Sequence, residues 1–488
     1  MPNNNIDYSR KWFVMAAVAM GVFLATIDSS IVNVALPTLV REYNTNFQTV
    51  QWVVLAYLLT LATLLLSIGR WADMKGKKPI YTAGFVIFTA GSFLCGIAPS
   101  VYTLILFRVI QAIGATMILA LGMAIVTESF PPSERGMALG ISGTMVSVGI
   151  VIGPTVGGFI IDALSWNWIF FVNIPVGIIG TLMVIRNIPS LKPQAEQRFD
   201  VPGAICLFFT LLAFALSMTL GQSYGFADIR VLALFAISII CLITFIFIEG
   251  HIDQPMIDLN LFQNQILNTS LATGFLTFIA IAGTMIIMPF YLENVLGYST
   301  RQVGMLISAV PISMGIVAPI AGSFSDRYGS RSITLIGLTI LLAGYSLLST
   351  LTSTTSTVGY VLRFLPIGIG MGIFQSPNNS AIMGVAPKGR LGIVSGMLAV
   401  NRTLGQTTGI ALLGAVWAGM VFSYATDSSL TSVTDAPVHA QVSGLQETYY
   451  IIVFLVFVAL SLSFRIFIKE RQISKKSAAM EIETANPE

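Results

Sequence analysis

Fourteen separate runs of about 20 predominantly apolar residues constrain this chain more than anything else in it, because a helix of that length matches the hydrocarbon thickness of a bilayer. The runs fall near 12–36, 48–69, 79–98, 101–125, 137–162, 167–187, 201–221, 230–249, 267–291, 302–323, 332–351, 357–384, 391–422 and 447–468. Charged residues make up 10% of the 488 positions, where a soluble domain carries about 25%. The fold class expected is therefore an all-α polytopic membrane protein. A net charge of +3 with no long basic tract gives no surface for nucleic acid. The three cysteines, Cys95, Cys206 and Cys241, lie in apolar runs without paired spacing, and the two histidines fall in loops, so no disulfide framework or metal site is expected. No catalytic constellation and no phosphate-binding G-x-x-x-x-G-K-[ST] loop is visible, which argues against an enzyme and against ATP as a power source.

Lysine and arginine set the orientation. With the N-terminus inside, nineteen of the 25 basic residues fall in inner segments, three (Arg41, Arg230 and Arg301) in outer ones, and three (Arg108, Arg363 and Arg402) within spans. Both termini are thus expected in the cytoplasm, with the compact loops suggesting a bacterial inner membrane and a monomer embedded in its lipid.

Residues 69–78, GRWADMKGKK, and 322–331, GSFSDRYGSR, share the form G-x-x-x-D-x-x-G, and each follows the second span of a six-span group. Paired six-helix groups with a site between them are a common transporter plan. The expected division is 1–190 for the first bundle, 191–265 for two inserted helices with linkers, 266–470 for the second bundle and 471–488 for a polar, unstructured tail. Segment 251–265 is too polar to span and reads as an interfacial connector.

The repeated loop resembles the signature loop of the major facilitator superfamily. GIVIGPTVGG (149–158) is similar to the fifth-helix motif of its antiporters, and IDSSIVNVALP (27–37), WNWIFFVNIPVG (166–177) and YLENVLGYS (291–299) resemble its fourteen-helix drug–proton antiporter family. That resemblance covers nearly the whole chain. It implies a major facilitator fold of two six-helix bundles plus two inserted helices. It also implies a secondary active exporter of hydrophobic or amphipathic compounds, multidrug in type, driven by the proton gradient and needing no bound cofactor. Export or flipping of a specific lipid or amphipathic metabolite is the alternative.

Asp28 interrupts the first apolar run, and an acid in hydrocarbon is costly enough to mark function. Counted along its span, Arg108 in FRVIQAIGA (107–115) sits at a similar depth, so the two are expected to meet on a polar cavity. There Asp28 either carries the coupling proton or forms a permanent pair fixing the first helix to the fourth. The fourth-helix stretch departs from the superfamily by carrying Ala112 where glycine is usual. Substrate-cavity candidates are Asn33, Gln111, Glu293, Gln375, Asn378 and Arg402, with methionines and phenylalanines supplying an adaptable apolar lining. Glu293 stands where the resembled family has glutamine. The resemblance makes Gly69, Asp73, Gly76 and Lys78, and in the second copy Asp326 and Arg327, a conformational latch; an ordinary turn is the plain alternative. Gly149, Gly153 and Gly157 recur at four-residue spacing, with Pro154 and Gly158 beside them. That pattern serves tight helix packing, a hinge for rocking, or both.

Overall fold

The computed structural model describes residues 10–131, 135–189, 200–252, 255, 259–384, 391–425 and 432–485, and no strand occurs among them. Among the described residues, thirteen helices are long and apolar enough to cross a membrane. A further helix, α5, runs for 29 residues, and its described apolar stretch is Val148–Ala163. The first group comprises α1 (Lys11–Glu42), α2 (Phe47–Lys75), α3 (Lys77–Gly96), α4 (Val101–Ser129), α5 (Arg135–Ala163) and a sixth span broken into α6 (Trp168–Phe171) and α7 (Asn173–Asn187). Two inserted helices follow, α8 (Val201–Tyr224) and α9 (Ile229–Glu249). The second group holds α10 (Gln265–Phe290), a span broken at Ser308 into α11 (Thr300–Ile307) and α12 (Ala309–Tyr328), then α13 (Ser330–Leu348), α14 (Thr357–Gly384), α15 (Leu391–Tyr424) and α16 (Val438–Ala485).

Several boundaries are set by capping chemistry. The Asn46 side chain accepts from the Thr49 amide at the start of α2, and Ser100 with Thr103 closes a reciprocal capping box on α4. Both satisfy amides that a helix start leaves without partners. The second glycine of each repeated loop adopts nearly one backbone conformation, φ 94° and ψ 141° at Gly76 and φ 84° and ψ 140° at Gly329. Side-chain-bearing residues seldom adopt that geometry, so glycine lets one helix turn into the next with no intervening loop. The Asp73 and Asp326 side chains lie outside the described residues; Gly69 faces open space and Arg327 is exposed.

The internal repeat is visible in the packing. In the first group α1 lies on α5, α3 on α4, α2 on α4, and α3 on α7; in the second, α10 lies on α15, α13 on α14, α12 on α14, and α13 on α16. The groups meet reciprocally, α2 on α15 and α5 on α11 and α12. α8 bridges them, touching both α2 and α15, with Leu207 and Leu211 packed against Leu404. α9 turns large apolar side chains such as Ile239, Ile243 and Phe247 outward, as a lipid-facing helix must.

Two expectations need correction. The first span does not stop at 36: the helix passes through buried Pro37 to Glu42, a further turn and a half that carries Arg41 to the far end, opposite the termini. That extension puts Asp28 at mid-length of α1 rather than toward one end. The tail expected to be unstructured continues as helix to Ala485, because KKSAAMEIETA is rich in strong helix formers, which propagate an existing helix. Of the connector 251–265, Leu259–Gln263 forms a short 3₁₀ helix that leads into α10; 253, 254 and 256–258 lie outside the described residues.

Candidate functional site

Asp28 and Arg108 meet, as their matched depths suggested. Arg108 Nη1 donates to Asp28 Oδ2 at 2.5 Å, and both side chains are 0% exposed. Asp28 Oδ1 accepts two further bonds, from Gln111 Nε2 at 2.8 Å and Asn173 Nδ2 at 3.0 Å. Gln111 spans the group, accepting from Arg108 Nη1 at 2.7 Å and donating to Ser92 Oγ at 2.6 Å. Arg108 Nε donates to the Val53 carbonyl at 3.0 Å, and its guanidinium lies 4.1 Å from the centre of the Tyr57 ring. Nη2 of Arg108 has no hydrogen-bond partner among the described residues. The carboxylate is thus held by three donors from α4 and α7, with the cation stacked on an aromatic face, an arrangement that offsets the desolvation of both charges.

This network is internal to the first group. It ties α1, α2, α3, α4 and α7 together, and neither charge reaches solvent, so the expected cavity-facing position is not the one occupied here. Gln111, expected along a substrate cavity, is the hub of the network instead. Asn33, five residues beyond Asp28, is half-buried and outside it. Sequence reading missed Asn173, Ser92 and Tyr57. Asn173 lies 145 positions from Asp28, and the one local hint was an asparagine in an apolar span, at the point where α6 gives way to α7.

The second group holds a different polar cluster, gathered on one turn of α10. Arg331 Nη1 donates to Ser270 Oγ at 3.1 Å, Asn378 Nδ2 to the Ser270 carbonyl at 3.1 Å, and Asn401 Nδ2 to the Leu271 carbonyl at 3.1 Å. A methyl group added at Gly274 would lie 3.3 Å from Asn401 Nδ2 and 3.5 Å from Asn378 Nδ2, so glycine makes room for both amides. Asn378, 3% exposed, is therefore a pin between α14 and α10. Gln375 is half-buried beyond the cluster. Arg402, next to Asn401, keeps part of its surface accessible and makes no hydrogen bond, ion pair or ring contact among the described residues.

Contacts between the two groups gather at mid-depth and the far end. Arg41 Nη2 meets Glu293 Oε1 at 2.5 Å, with Arg41 54% and Glu293 11% exposed. Phe47 makes edge-to-face contacts with Phe290 and Trp417. Arg301, at the start of α11, stacks on Phe159 at 4.2 Å, and deeper in Thr155 Oγ1 and Ser308 Oγ lie 2.5 Å apart. The glycines of 149–158 divide between two partners. Gly149, Gly153 and Gly157 press on α1 at Thr26, Ser30 and Ile31, whereas Gly158 and the Pro154 carbonyl press on α11 at Thr300 and Gly304. At the end holding the termini, Lys77 pairs with Glu128 within the first group, while Lys78 is half-buried. Glu293 therefore belongs to the far-end closure, neither a solvated helix end nor a mid-depth acid.

The family model of the Major Facilitator Superfamily matches residues 18–410. The chain is 34% identical to the riboflavin transporter RibZ of Clostridioides difficile (strain 630) over 417 residues, 84% of this chain and 89% of that one. It is 29% identical to the multidrug transporter protein MdtP of Bacillus subtilis (strain 168) over 446 residues, 90% of this chain and 82% of that one. Among solved structures, a bacterial homolog of the human lysosomal transporter Spinster, in an inward-facing and unoccupied conformation, superposes with a TM-score of 0.65 at 18% identity, covering 94% of this chain and 98% of that one.

Proposed function

The chain belongs to the major facilitator superfamily, and from that premise we propose that this integral membrane transporter, which is not an enzyme, exports hydrophobic or amphipathic small molecules in exchange for protons. It works in the bacterial inner membrane with both termini cytoplasmic, an orientation favoured by the nineteen-to-three excess of basic residues in inner segments. The far end is then the outside, and its closure by Arg41–Glu293 and the Phe47 aromatic cluster corresponds to an inward-facing carrier. The single observation that carries the proton coupling is Asp28. Counted along the helices, it is the one acidic side chain at mid-depth among the described residues, and it is held by a dissociable partner.

In this cycle Asp28 is ionised while paired with Arg108 in the inward-facing state. Outward opening shifts α1 against α4 and α7, parts the pair and lets the carboxylate take a proton from outside. Return to the inward state brings Arg108 back to the carboxylate, and that proton leaves to the cytoplasm. Gly149, Gly153 and Gly157 let α5 stay in close contact with α1 during the movement, and Pro154 beside Gly158 supplies the bend. The loops at Gly69, Asp73, Gly76 and Lys78, and at Asp326 and Arg327, lock the cytoplasmic end when the far end opens. The second reading, export of a specific lipid or amphipathic metabolite, is favoured by one observation, Arg402 having no partner among the described residues.

The test is transport in proteoliposomes under an imposed pH gradient, with a lipophilic cation, a neutral drug and a fluorescent lipid presented to wild type and Asp28→Asn. Gradient-driven movement lost in the variant is the expected result. Full coupling in a folded Asp28→Asn protein would sink the role given to Asp28.

A further inference from the structure

Arg402 differs from the other arginines within spans, Arg108 and Arg363, in making no hydrogen bond, ion pair or ring contact among the described residues. Its direction follows from its neighbours on α15. Successive residues of a helix are about 100° apart. Asn401 is pinned to α10 and Leu404 packs on α8. Arg402 lies roughly 200° round the helix from Leu404, away from α8. Farther along, Trp417 meets Phe47 of α2, and the Ile410 carbonyl accepts from Gln51, also of α2. Arg402 occupies the sector between the α10 and α2 faces, and so faces the seam between the two groups. Those groups are joined at mid-depth and the far end. Arg402 sits about 11 residues from the start of α15 at the other end, and its side chain stays partly accessible.

A guanidinium within a span is held in place by a counter-ion or by something that arrives to serve as one. Arg108 has Asp28, Arg41 has Glu293, and Arg331 is bonded to Ser270. Arg402 has none of these among the described residues. The described acids within helical spans are consumed in those pairs, lie close to a helix end, as Glu128, Asp162 and Glu249 do, or, as Glu447 of α16 does, accept from Tyr424 at the far end. The seam therefore carries a net positive charge at Arg402. A lipophilic cation entering it is repelled, and an anion is attracted and can be gripped by the planar fork of the guanidinium.

We propose that Arg402 is the substrate-selecting residue, and that the transported compound is an amphipathic anion whose carboxylate or phosphate binds this guanidinium while its apolar body fills the seam. This rests on the reading of the seam as the transport path. It names the substrate class that the reading leaves open, and it departs from the cationic compounds that a multidrug exporter would be expected to carry.

The experiment is binding to the full-length protein in nanodiscs, followed by fluorescence, with four probes: a dansylated aromatic amino acid with a free carboxylate, its methyl ester, the lipophilic cation tetraphenylphosphonium, and a fluorescent phosphatidylglycerol. Wild type binds the free carboxylate roughly tenfold or more tightly than the ester, as a charge-assisted hydrogen bond allows. Arg402→Gln abolishes that ratio, Arg402→Lys retains part of it, and tetraphenylphosphonium binds Arg402→Gln more tightly than wild type. The acid-to-ester ratio is taken within one preparation, so a loss of folded protein does not mimic the result. Competition by phosphatidylglycerol identifies the anion as a lipid headgroup, and its absence identifies a free metabolite; either supports the assignment.

Equal binding of acid and ester by wild type, a ratio unchanged in Arg402→Gln, or no binding of any probe overturns it. Gradient-driven transport separates this outcome from that of the exchange mechanism. A cation driven by the gradient and indifferent to Arg402→Gln sinks the anion site and leaves proton exchange standing. Arg402-dependent anion binding without gradient-driven transport does the reverse.

Discussion

Each group of helices carries an arginine deep within a span, and the two are treated in opposite ways. In the first group Arg108 is sealed from solvent, paired with Asp28, bonded to Gln111 and the Val53 carbonyl and stacked on Tyr57. In the second, Arg402 keeps accessible surface and makes no such contact among the described residues. Otherwise the groups repeat each other's packing, down to the glycine conformations at Gly76 and Gly329. Duplicated scaffolds with unequal charges divide the labour: the half with a balanced pair can take up and release a proton, passing between a neutral and a singly positive state, and the half with a spare cation can recognise something from outside.

The strongest way to break this contrast is Arg108→Gln. It leaves the Asp28 carboxylate buried without its cation, and removing one member of a buried pair costs about 3–5 kcal/mol. Unfolding of purified protein in detergent should show that loss, and Asp28→Asn added to the same chain should recover much of it. A single variant as stable as the double would mean that the charges are not coupled. Asn173→Ala comes next, at about 1–3 kcal/mol for a hydrogen bond taken from a buried carboxylate. Here an unchanged unfolding midpoint would remove Asn173 from the network.

Glu293→Gln tests the far-end pair, where Arg41 is 54% exposed. Solvent screening limits such a pair to about 0.2–1 kcal/mol, so the unfolding midpoint should barely move. The conformational balance should move more, because this contact belongs to one state only. Spin labels at Glu42 and Ser353, on opposite groups at the far end, should show a larger long-distance population in Glu293→Gln. An identical distance distribution would show that the aromatic contacts of Phe47 close that end without help from the ion pair.

Much of the architecture was legible because membrane insertion is dictated locally. A 20-residue apolar run declares itself, and both copies of G-x-x-x-D-x-x-G mark a tight helix-to-helix turn. Asp28 and Arg108 could be matched by depth alone, because both are charges where charge is costly. Asn173 could not be placed, since nothing local says that the sixth span breaks at 172–173 and swings an amide toward α1. Glu293 was ambiguous for another reason: its partner Arg41 is carried to it by a helix that runs six residues past the apolar run, through a proline that reads as a stop. The helix after Lys469 shows the reverse error, polarity mistaken for absence of structure when the residues are good helix formers attached to a long helix. Arg402 was visible as a charge within a span. What could not be read was that no other helix brings it a partner among the described residues.

The smallest expected effect on stability is also the one that sharpens the comparison most. Arg402→Gln deletes a charge inside the membrane, as Arg108→Gln does, and the two substitutions are chemically identical. If Arg402 lacks a counter-ion, nothing is orphaned by its removal, and the desolvation cost of holding an unpaired cation disappears. The unfolding midpoint should then stay within about 0.5 kcal/mol of wild type or rise. The several-kcal/mol gap from Arg108→Gln would measure directly what Asp28 contributes on one side and what is absent on the other. A loss above about 1 kcal/mol would mean that an acid reaches Arg402 after all. The spare charge would then be a second structural pair, and the asymmetry between the halves would have to be sought in the far-end contacts instead.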